Sequence, residues 1–284
     1  MEINKDTKIL IVGLGLIGGT YAQALSDQGY EVGAVARRKE TIDFALDKGW
    51  IRHGRWEVDE DYIGGFDLVV FALYPHIFLE WIRDHQRCLK SGALLTDVTG
   101  VKRSVVYAVQ DMLRDDLEFI GAHPMAGREK SGVEYAEKEV FYDANYIVTP
   151  TEKNTPEAVA ACEQLGRLLG FRTIARLSPE EHDEMVGFLS QLTHLIAVAL
   201  MVCKDSTQLV RYTGDSFRDL TRIAKVNDVM WTELFLLNKD ELLRQTDIFM
   251  EKMSQLRDNL ANGDAEAIRA MMRLSRERRE YFDK

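Results

Sequence analysis

Short apolar runs alternate with amphipathic stretches from residue 8 to residue 175 of the 284-residue chain. Apolar runs bounded by turn residues are typical of buried strands, whereas apolar positions three and four apart indicate helices. Strands are predicted at Lys8–Val12, Glu31–Ala36, Phe66–Leu73, Ala93–Val98, Leu117–Ala122, Asn145–Pro150 and Phe171–Ala175. Helices are predicted between them at Thr20–Gln28, Lys39–Lys48, His76–Cys88, Arg103–Arg114 and Thr155–Leu169. Because strands alternate with helices, we expect an α/β fold with a mostly parallel, doubly wound sheet.

The pattern changes at Ser178, after which the apolar spacing is helical. Ser178 is suited to cap a helix, Pro179 to occupy its first turn and Glu181 to bond back to the cap. Apolar residues then recur at helical spacing from Met185 to Leu200. We therefore predict two domains, a sheet-containing domain at 1–177 and an all-helical domain at 178–284.

Net charge, apolar runs and cysteine content indicate which partners and which cellular compartment to expect. The formal net charge of −10 argues against nucleic acid or an anionic membrane as the main partner. No run approaches the roughly 18 consecutive apolar residues of a membrane-spanning helix, and no leader pattern precedes the first strand. Cys88, Cys162 and Cys203 are odd in number and lack metal-ligand spacing, which fits a reducing compartment. We expect a cytoplasmic protein without a metal site.

The segment Gly13–Gly18 follows the first predicted strand directly and leads into a helix. In a strand–turn–helix–strand unit of about 30 residues, this G-x-G-x-x-G pattern indicates dinucleotide binding. The glycines allow a tight turn and let the backbone approach a pyrophosphate, which lies at the helix N-terminus. We predict a Rossmann-type domain that contacts its cofactor through Gly13, Gly15, Leu16, Ile17 and Gly18. The alternative is a turn that needs small residues only for packing.

The end of the second predicted strand bears on which dinucleotide binds. NAD-binding domains of this type usually place Asp or Glu there, because a carboxylate accepts hydrogen bonds from the ribose 2′-hydroxyl. This chain has Ala36 followed by Arg37 and Arg38, whose guanidinium groups suit a 2′-phosphate. We predict NADP in preference to NAD. The alternative is that the two arginines form only a solvated surface.

Further candidates lie in the loops after the later strands. Ligands of a doubly wound sheet bind beyond the carboxyl ends of its strands. Leu73, Tyr74 and Pro75 lie at and after the end of one strand and are predicted to contact the cofactor. The segment Asp97–Lys102 begins at the end of the next strand and continues into the loop after it. His123 follows a third strand. An imidazole there suits general acid–base chemistry, because its charge changes near neutral pH.

With these features the sequence resembles the prephenate/arogenate dehydrogenase family. The segments that carry the resemblance are Gly13–Gly18, Asp97–Lys102, His123–Gly132, Ser178–Asp183, Thr193-His194, Phe217–Ala224, Met230-Trp231 and Asn238-Lys239. The resemblance implies an oxidoreductase of tyrosine, and hence aromatic amino acid, biosynthesis. In the implied reaction, hydride passes from a hydroxyl-bearing ring carbon to the nicotinamide, CO2 leaves from the opposite carbon, and the ring becomes aromatic.

The resemblance also implies roles for individual side chains. His123 would hydrogen-bond the ring hydroxyl and accept its proton, and Arg222 would anchor a substrate carboxylate. An internal ion pair of Arg222 with Asp219 or Asp215 is the alternative. Other family positions that bind substrate or line the site fall on His194, His182 and Glu129.

The chain departs from the family pattern at two positions. Many members have Gly-Ser where this chain has Thr99-Gly100, and their serine hydroxyl bonds the catalytic histidine. We expect Thr99 to supply that hydroxyl from the neighbouring position. Gln191 stands where many relatives carry a second histidine on the helix before His194, and its amide can still donate to a substrate carboxylate.

The resemblance further implies a homodimer, because the family dimerises through its helical domain. Two amphipathic stretches in that region, Leu234–Leu260 and Ala265–Tyr281, are consistent with such an interface.

Three alternative functions are considered, and one sequence feature bears on each of them. β-Hydroxyacid dehydrogenases need a lysine on the first long helix of their second domain, and residues Leu177–Cys203 contain none. Imine or ketone reductases of similar architecture do not account for the His-Pro loop at His123. A catalytically silent NADP-binding protein is a third alternative, favoured only by Gly100.

Within the family the substrate is prephenate or arogenate. The amino group of arogenate would favour a nearby carboxylate, whereas Arg128 beside Glu129 makes the loop more cationic. We therefore predict prephenate as the substrate and keep arogenate as the alternative.

Overall fold

The protein, as a computed structural model, is described at residues 2–127, 130–205 and 207–283. The strands are β1 (Lys8–Val12), β2 (Glu31–Val35), β3 (His53–Arg55), β4 (Leu68–Phe71), β5 (Leu94–Asp97), β6 (Glu118–Pro124), β7 (Asn145–Thr149) and β8 (Thr173–Arg176). The α-helices are α1 (Leu16–Asp27), α2 (Lys39–Asp47), α3 (Glu60–Ile63), α4 (Pro75–His85), α5 (Arg103–Met112), α6 (Pro156–Leu168), α7 (Pro179–Val186), α8 (Thr193–Val202), α9 (Asp215–Thr221), α10 (Asp228–Leu237), α11 (Lys239–Ala261) and α12 (Ala265–Arg279). Short 3-10 helices lie at Gln86–Cys88, Val133–Tyr135, Lys138–Phe141, Thr207–Tyr212, Arg222–Ala224 and Glu280–Phe282.

The strands named above form one sheet, in the order β3-β2-β1-β4-β5-β6-β7-β8. Neighbouring strands are parallel except for β6 and β7, which are antiparallel. The strand order reverses between β1 and β4, so a crevice opens beyond the carboxyl ends of these two strands. The predicted α/β fold with a mostly parallel, doubly wound sheet is confirmed, and helices follow it from Pro179 onward.

The sheet is buried on both faces, which is why its central strands read as continuous apolar runs. In β1, Ile9 and Ile11 pack into one apolar core and Leu10 and Val12 into the other, because alternate side chains of a strand point to opposite faces. Burial of each such side chain contributes about 1.5–3 kcal/mol. The sheet is therefore a rigid base for the loops at its carboxyl edge.

Two element boundaries near the site differ from the sequence prediction. Helix α1 begins at Leu16, inside the glycine segment, and not at Thr20. Strand β6 does not end at Ala122 but continues to Pro124, because it pairs with β7 and places His123 opposite Ile147. The catalytic candidate is thus held by a strand ladder and not by a free loop. The pattern also missed β3, which is short and lies at the sheet edge.

The helical part begins with the capping box that the sequence predicted. The Ser178 hydroxyl accepts from the Glu181 backbone N–H at 3.1 Å, and the Glu181 carboxylate accepts from the Ser178 N–H at 2.7 Å. Strand β8 ends at Arg176, so the proposed boundary at 177/178 falls between the last strand and the first helix of this part. A π-helical turn, Gly187–Leu192, joins α7 to α8.

The predicted helix at Leu234–Leu260 is interrupted at Asn238, where α10 ends and α11 begins. The buried Asn238 amide donates to the Asp183 carbonyl at 2.9 Å and to the Gln191 side-chain oxygen at 2.8 Å. These bonds tie the break to α7 and to the π-helical turn. An amphipathic pattern continues through such a break, so spacing alone did not locate it.

One helical stretch, Pro179–Val202, is long and apolar enough to cross a membrane. Only 28% of its most apolar window is buried within the described residues. A single stretch of this kind is weak support for a membrane span, because a core helix of a soluble protein passes the same test.

Candidate active site

The candidate site is built on a fully buried charge cluster at the end of β5. Lys102 Nζ lies 2.7 Å from Asp97 Oδ2, and both side chains are 0% exposed. The same oxygen accepts from the Thr99 backbone N–H at 3.0 Å, and Asp97 Oδ1 accepts from the Ala122 N–H at 3.1 Å. The cluster therefore fixes the β5 loop against β6, one residue before His123. Removing one partner of a buried pair typically costs about 3–5 kcal/mol, because the other charge is left unpaired.

Burial lowers the pKa of Lys102, and the charge of Asp97 together with its hydrogen bond opposes that change. The Lys102 ammonium is held in place because the Asp97 carboxylate accepts a hydrogen bond from it. A positive charge is thereby fixed near the imidazole of His123.

Thr99 does not support His123 as the sequence suggested. Its hydroxyl has one proton, which it shares between Asp97 Oδ2 and the Val101 carbonyl, and it accepts from Lys102 Nζ. Thr99 is a member of the charge cluster, buried to 4% exposure, and its hydroxyl is used there. At Gly100 a Cβ atom would lie 3.9 Å from His123 Cε1, so the missing serine side chain leaves space beside the imidazole.

The partner of His123 comes from the helical part of the chain. His123 Nδ1 lies 2.8 Å from His182 Nε2, and His182 Nδ1 lies 2.8 Å from Asp183 Oδ1. His182 is 0% exposed and Asp183 is 2% exposed. Asp183 also accepts from the backbone N–H groups of Lys102 and Arg103, at 2.8 and 2.9 Å. His182 is therefore a buried partner of the catalytic candidate.

Burial, together with nearby His182 and Lys102, holds the pKa of His123 well below its ordinary value of 6.5. Burial likewise lowers the pKa of His182, and the hydrogen bond that His182 donates to Asp183 opposes this change. Both imidazoles are therefore neutral at neutral pH. A neutral imidazole can accept a proton, which an imidazolium cannot.

Two other predicted substrate contacts lie in the helical part. His194 stacks on Trp231 with ring centroids 3.7 Å apart, and its Nδ1 lies 2.9 Å from the Ser190 carbonyl. The exposed Arg222 lies in a short helix that packs against α8, the helix of His194. Nearby Arg218 pairs with Asp215 at 2.6 Å.

The amide of Gln191 is buried and bonded within the helical part. Its Nε2 donates to the Leu234 carbonyl at 3.1 Å, and its oxygen accepts from Asn238. This arrangement joins the helices of this part of the chain. Glu129 and its neighbour Arg128 lie outside the described residues.

The glycine segment is shaped to receive a dinucleotide. Gly13 has φ +98°, and a Cβ at Gly18 would lie 1.9 Å from the Gly13 carbonyl oxygen, so the turn needs glycine at both positions. A Cβ at Gly15 would meet nothing within 4 Å, although Gly15 caps α1. Space is thus left at the helix N-terminus beside Leu16 and Ile17, where a pyrophosphate fits.

Two guanidinium groups follow β2, at the same carboxyl edge of the sheet as the glycine segment. Arg37 and Arg38 are exposed. The next basic residues are paired, Lys39 with Asp43 at 2.6 Å and Arg55 with Asp59 at 3.2 Å. The first two arginines are therefore the better placed to meet an anionic ligand.

The loop after β4 contacts the helical part directly. Glu233 accepts from the His76 backbone N–H and lies against His76 Nδ1, both at 2.7 Å. Asn227 donates to the Tyr74 hydroxyl at 3.0 Å. Leu73, Tyr74 and Pro75 thus lie where the sheet edge meets α10. Sequence reasoning missed Glu233 and Asn227, since nothing local to these residues indicates a contact 150 residues away.

Comparison with known proteins places this geometry in a family. Residues 22–175 match the model for "Prephenate dehydrogenase, nucleotide-binding domain", and residues 178–274 match the model for "Prephenate dehydrogenase, dimerization domain". The chain belongs to the prephenate dehydrogenase family. The resemblance inferred from the sequence is confirmed.

Individual relatives agree with the family match. The chain is 32% identical to prephenate dehydrogenase of Bacillus subtilis (strain 168), over 94% of this chain and 73% of the relative. It is 30% identical to cyclohexadienyl dehydrogenase of Zymomonas mobilis, over 91% and 90% of the two chains. Prephenate dehydrogenase from A. aeolicus, solved with hydroxyphenyl propionate and NAD+, superposes with a TM-score of 0.88 at 29% identity and covers 98% of each chain.

Paired substitutions at two glycines test whether this edge holds a dinucleotide. Gly15→Ala is expected to leave the melting temperature unchanged and to weaken NADP binding by about tenfold or more, because its methyl group meets only ligand space. Gly18→Ala is expected to lower the melting temperature, since its Cβ collides with the Gly13 carbonyl. Isothermal titration and thermal unfolding measure the two effects. Cofactor binding by Gly15→Ala at wild-type affinity would contradict this assignment.

Proposed function

We propose that the chain is a prephenate dehydrogenase that converts prephenate to 4-hydroxyphenylpyruvate with NADP as hydride acceptor. The observation that carries the proposal is the position of His123. Its imidazole is neutral, lies beyond the parallel part of β6 and belongs to the same sheet edge as the glycine segment. Membership of the family supplies the reaction class.

In the proposed reaction His123 manages one proton. The neutral imidazole accepts the proton of the ring hydroxyl as the carbon that bears it is oxidised. Because the product is a phenol, the imidazolium returns this proton to the same oxygen after CO2 has left and the ring has become aromatic. NADP, when bound, would accept the hydride. CO2 loss and aromatisation make the step strongly downhill, so the protein mainly orients the substrate and transfers this proton.

Arg222 and His194 are proposed to bind and orient the substrate. The planar guanidinium of Arg222 suits a substrate carboxylate, and this hydrogen bond would contribute about 1.5–3 kcal/mol. His194 is fixed by its stack on Trp231 and can contact the substrate with its ring edge. Glu129 is proposed to line the same site.

The preference for NADP rests on Arg37 and Arg38. No carboxylate follows β2 to repel a 2′-phosphate, since Ala36 stands at that position. The described part of the chain presents both guanidinium groups at the surface there. The A. aeolicus relative was solved with NAD+, so the preference is a property proposed for this chain alone.

We further propose a cytoplasmic homodimer formed through the helical part. Several large apolar side chains there are more than half exposed, among them Val202, Val229 and Leu236. Exposed apolar surface of this extent favours a subunit interface. Association would cover the apolar stretch Pro179–Val202.

The reaction itself is tested by cofactor reduction. The purified protein with NADP and prephenate should show a rise in absorbance of the reduced cofactor, and the rate with arogenate should be lower. Faster turnover of arogenate would overturn the substrate assignment but keep the mechanism. Tight cofactor binding with no turnover of either compound would identify a silent binding protein.

Cofactor preference is tested by reversing one charge. Arg37→Asp is expected to lower kcat/KM for NADP by roughly tenfold to a hundredfold, because a charge-assisted hydrogen bond is lost and repulsion is added. The value for NAD should change little. Arg52→Asp is the matched control, since this exposed arginine precedes β3 and so lies at the amino ends of the parallel strands, whereas Arg37 lies at their carboxyl ends. An unchanged ratio of NADP to NAD activity would refute the role of Arg37.

The pH dependence follows from the lowered pKa of His123. The neutral form is the active one, and its pKa lies below 6.5, so kcat should be constant around neutrality. Activity should fall only as the pH drops through the lowered pKa. Steady-state rates between pH 4.5 and pH 9, at roughly unit spacing, measure this profile, with circular dichroism at each pH as the control for folding. An acid limb centred above pH 6.5 would contradict the prediction.

A further inference from the structure

We propose that His182 and Asp183 form a relay that sets the tautomer of His123, so that its Nε2 is the bare nitrogen that accepts the substrate proton. This inference deepens the proposed function and rests on it. His182 would then be a positioning residue. The geometry assigns it this part in place of the substrate contact that the sequence suggested.

The Asp183 carboxylate fixes the direction of the two hydrogen bonds that link it to His182 and His182 to His123. Asp183 already accepts two backbone N–H groups, and an ionised carboxylate can only accept. His182 Nδ1, 2.8 Å away, therefore carries the proton and donates it to Asp183 Oδ1. A neutral imidazole has one N–H, so His182 Nε2 is an acceptor.

The contact between His182 and His123 determines which nitrogen of His123 carries the proton. His123 Nδ1 is 2.8 Å from His182 Nε2, and one of the two must donate. Because His182 Nε2 is the acceptor, His123 carries its proton on Nδ1. His123 Nε2 is then unprotonated and free to take a proton from the ring hydroxyl. Proton uptake leaves the Nδ1–H bond to His182 intact, so the relay also supports the imidazolium that forms.

The charged groups around the two histidines are consistent with this assignment of protons, in which both imidazoles are neutral. Lys102 and Asp97 face the two histidines from the β5 loop, and Asp183 faces them from α7. The Lys102 ammonium pairs with Asp97, and its charge disfavours a second positive charge on either imidazole. If His182 were protonated on Nε2, it would donate to His123 Nδ1, and His123 Nε2 would become a donor unable to act as a base.

Gly100 cannot supply a side-chain partner for the imidazole of His123. A Cβ at Gly100 would come within 3.9 Å of His123 Cε1, but the glycine offers no hydroxyl there. The Thr99 hydroxyl is used within the buried charge cluster. Within the described ranges, His123 Nδ1 therefore bonds to His182.

The relay is tested by a matched pair of substitutions at one position. His182→Leu removes the acceptor and should lower kcat on the order of 10²-fold, with KM for prephenate and the dissociation constant for NADP within about twofold of wild type. His182→Gln places an amide oxygen where it can accept the Nδ1–H and should retain kcat within about tenfold. His85→Leu is the control, because His85 lies at the far end of α4 against Trp81 and should leave kcat unchanged.

Equal losses in His182→Leu and His182→Gln, or a loss confined to KM, would indicate a purely structural role and overturn the relay. Full activity in His182→Leu would overturn it too. The proposed function would still stand, because wild-type turnover of prephenate tests that separately.

A second measurement needs no variant at position 182 and no turnover. Nitrogen-15 NMR of histidine-labelled wild-type protein with NADP distinguishes the two neutral tautomers of each imidazole, and His123→Asn assigns the His123 signals. The relay predicts the Nδ1–H form of His123 at neutral pH. Observation of the Nε2–H form would refute it, whether or not the protein oxidises prephenate.

Discussion

The carboxylate of Asp183 is the constraint on which the arrangement of the site depends. It accepts the backbone N–H groups of Lys102 and Arg103 at the start of α5 and the imidazole of His182. Charge-assisted bonds of this kind contribute about 1.5–3 kcal/mol each, and the positive end of the helix dipole adds to them. The carboxylate therefore fastens the first helix of the helical part to the sheet domain. It also holds His182 against His123.

The buried Lys102–Asp97 pair completes the other half of this junction. Asp97 binds the β5 loop and the backbone of β6, so His123 is held by the sheet on one side and by α7 on the other. A buried pair is costly to form, and a charge cluster of this kind contributes position more than stability. Its effect at the site is electrostatic, because the Lys102 ammonium adds to the burial and to the His182 contact that lower the pKa of His123. A neutral base at physiological pH is what the dehydrogenation requires.

Local sequence signals located much of the fold and the cofactor edge but not the relay. The Gly13–Gly18 segment and the cap at Ser178 are short-range patterns, and the structure reproduces both. His182 was placed at the site only through family resemblance, because its contact with His123 spans 59 residues of chain and no local spacing encodes it. The same reason explains why the contacts of Thr99 and Gln191 differ from those expected from the sequence. Their polar groups are used by Lys102 and Asn238, which sequence reasoning could not place beside them.

The central claim is that a substrate hydroxyl meets the Nε2 atom of His123 while Nδ1 remains bonded to His182. A crystal structure of the protein with NADP and hydroxyphenyl propionate, the aromatic acid found in the A. aeolicus relative, measures both contacts directly. The account predicts the phenol oxygen within about 2.6–3.2 Å of His123 Nε2, with the 2.8 Å contact to His182 preserved. A phenol oxygen bound elsewhere, or at Nδ1 with His182 displaced, would contradict it.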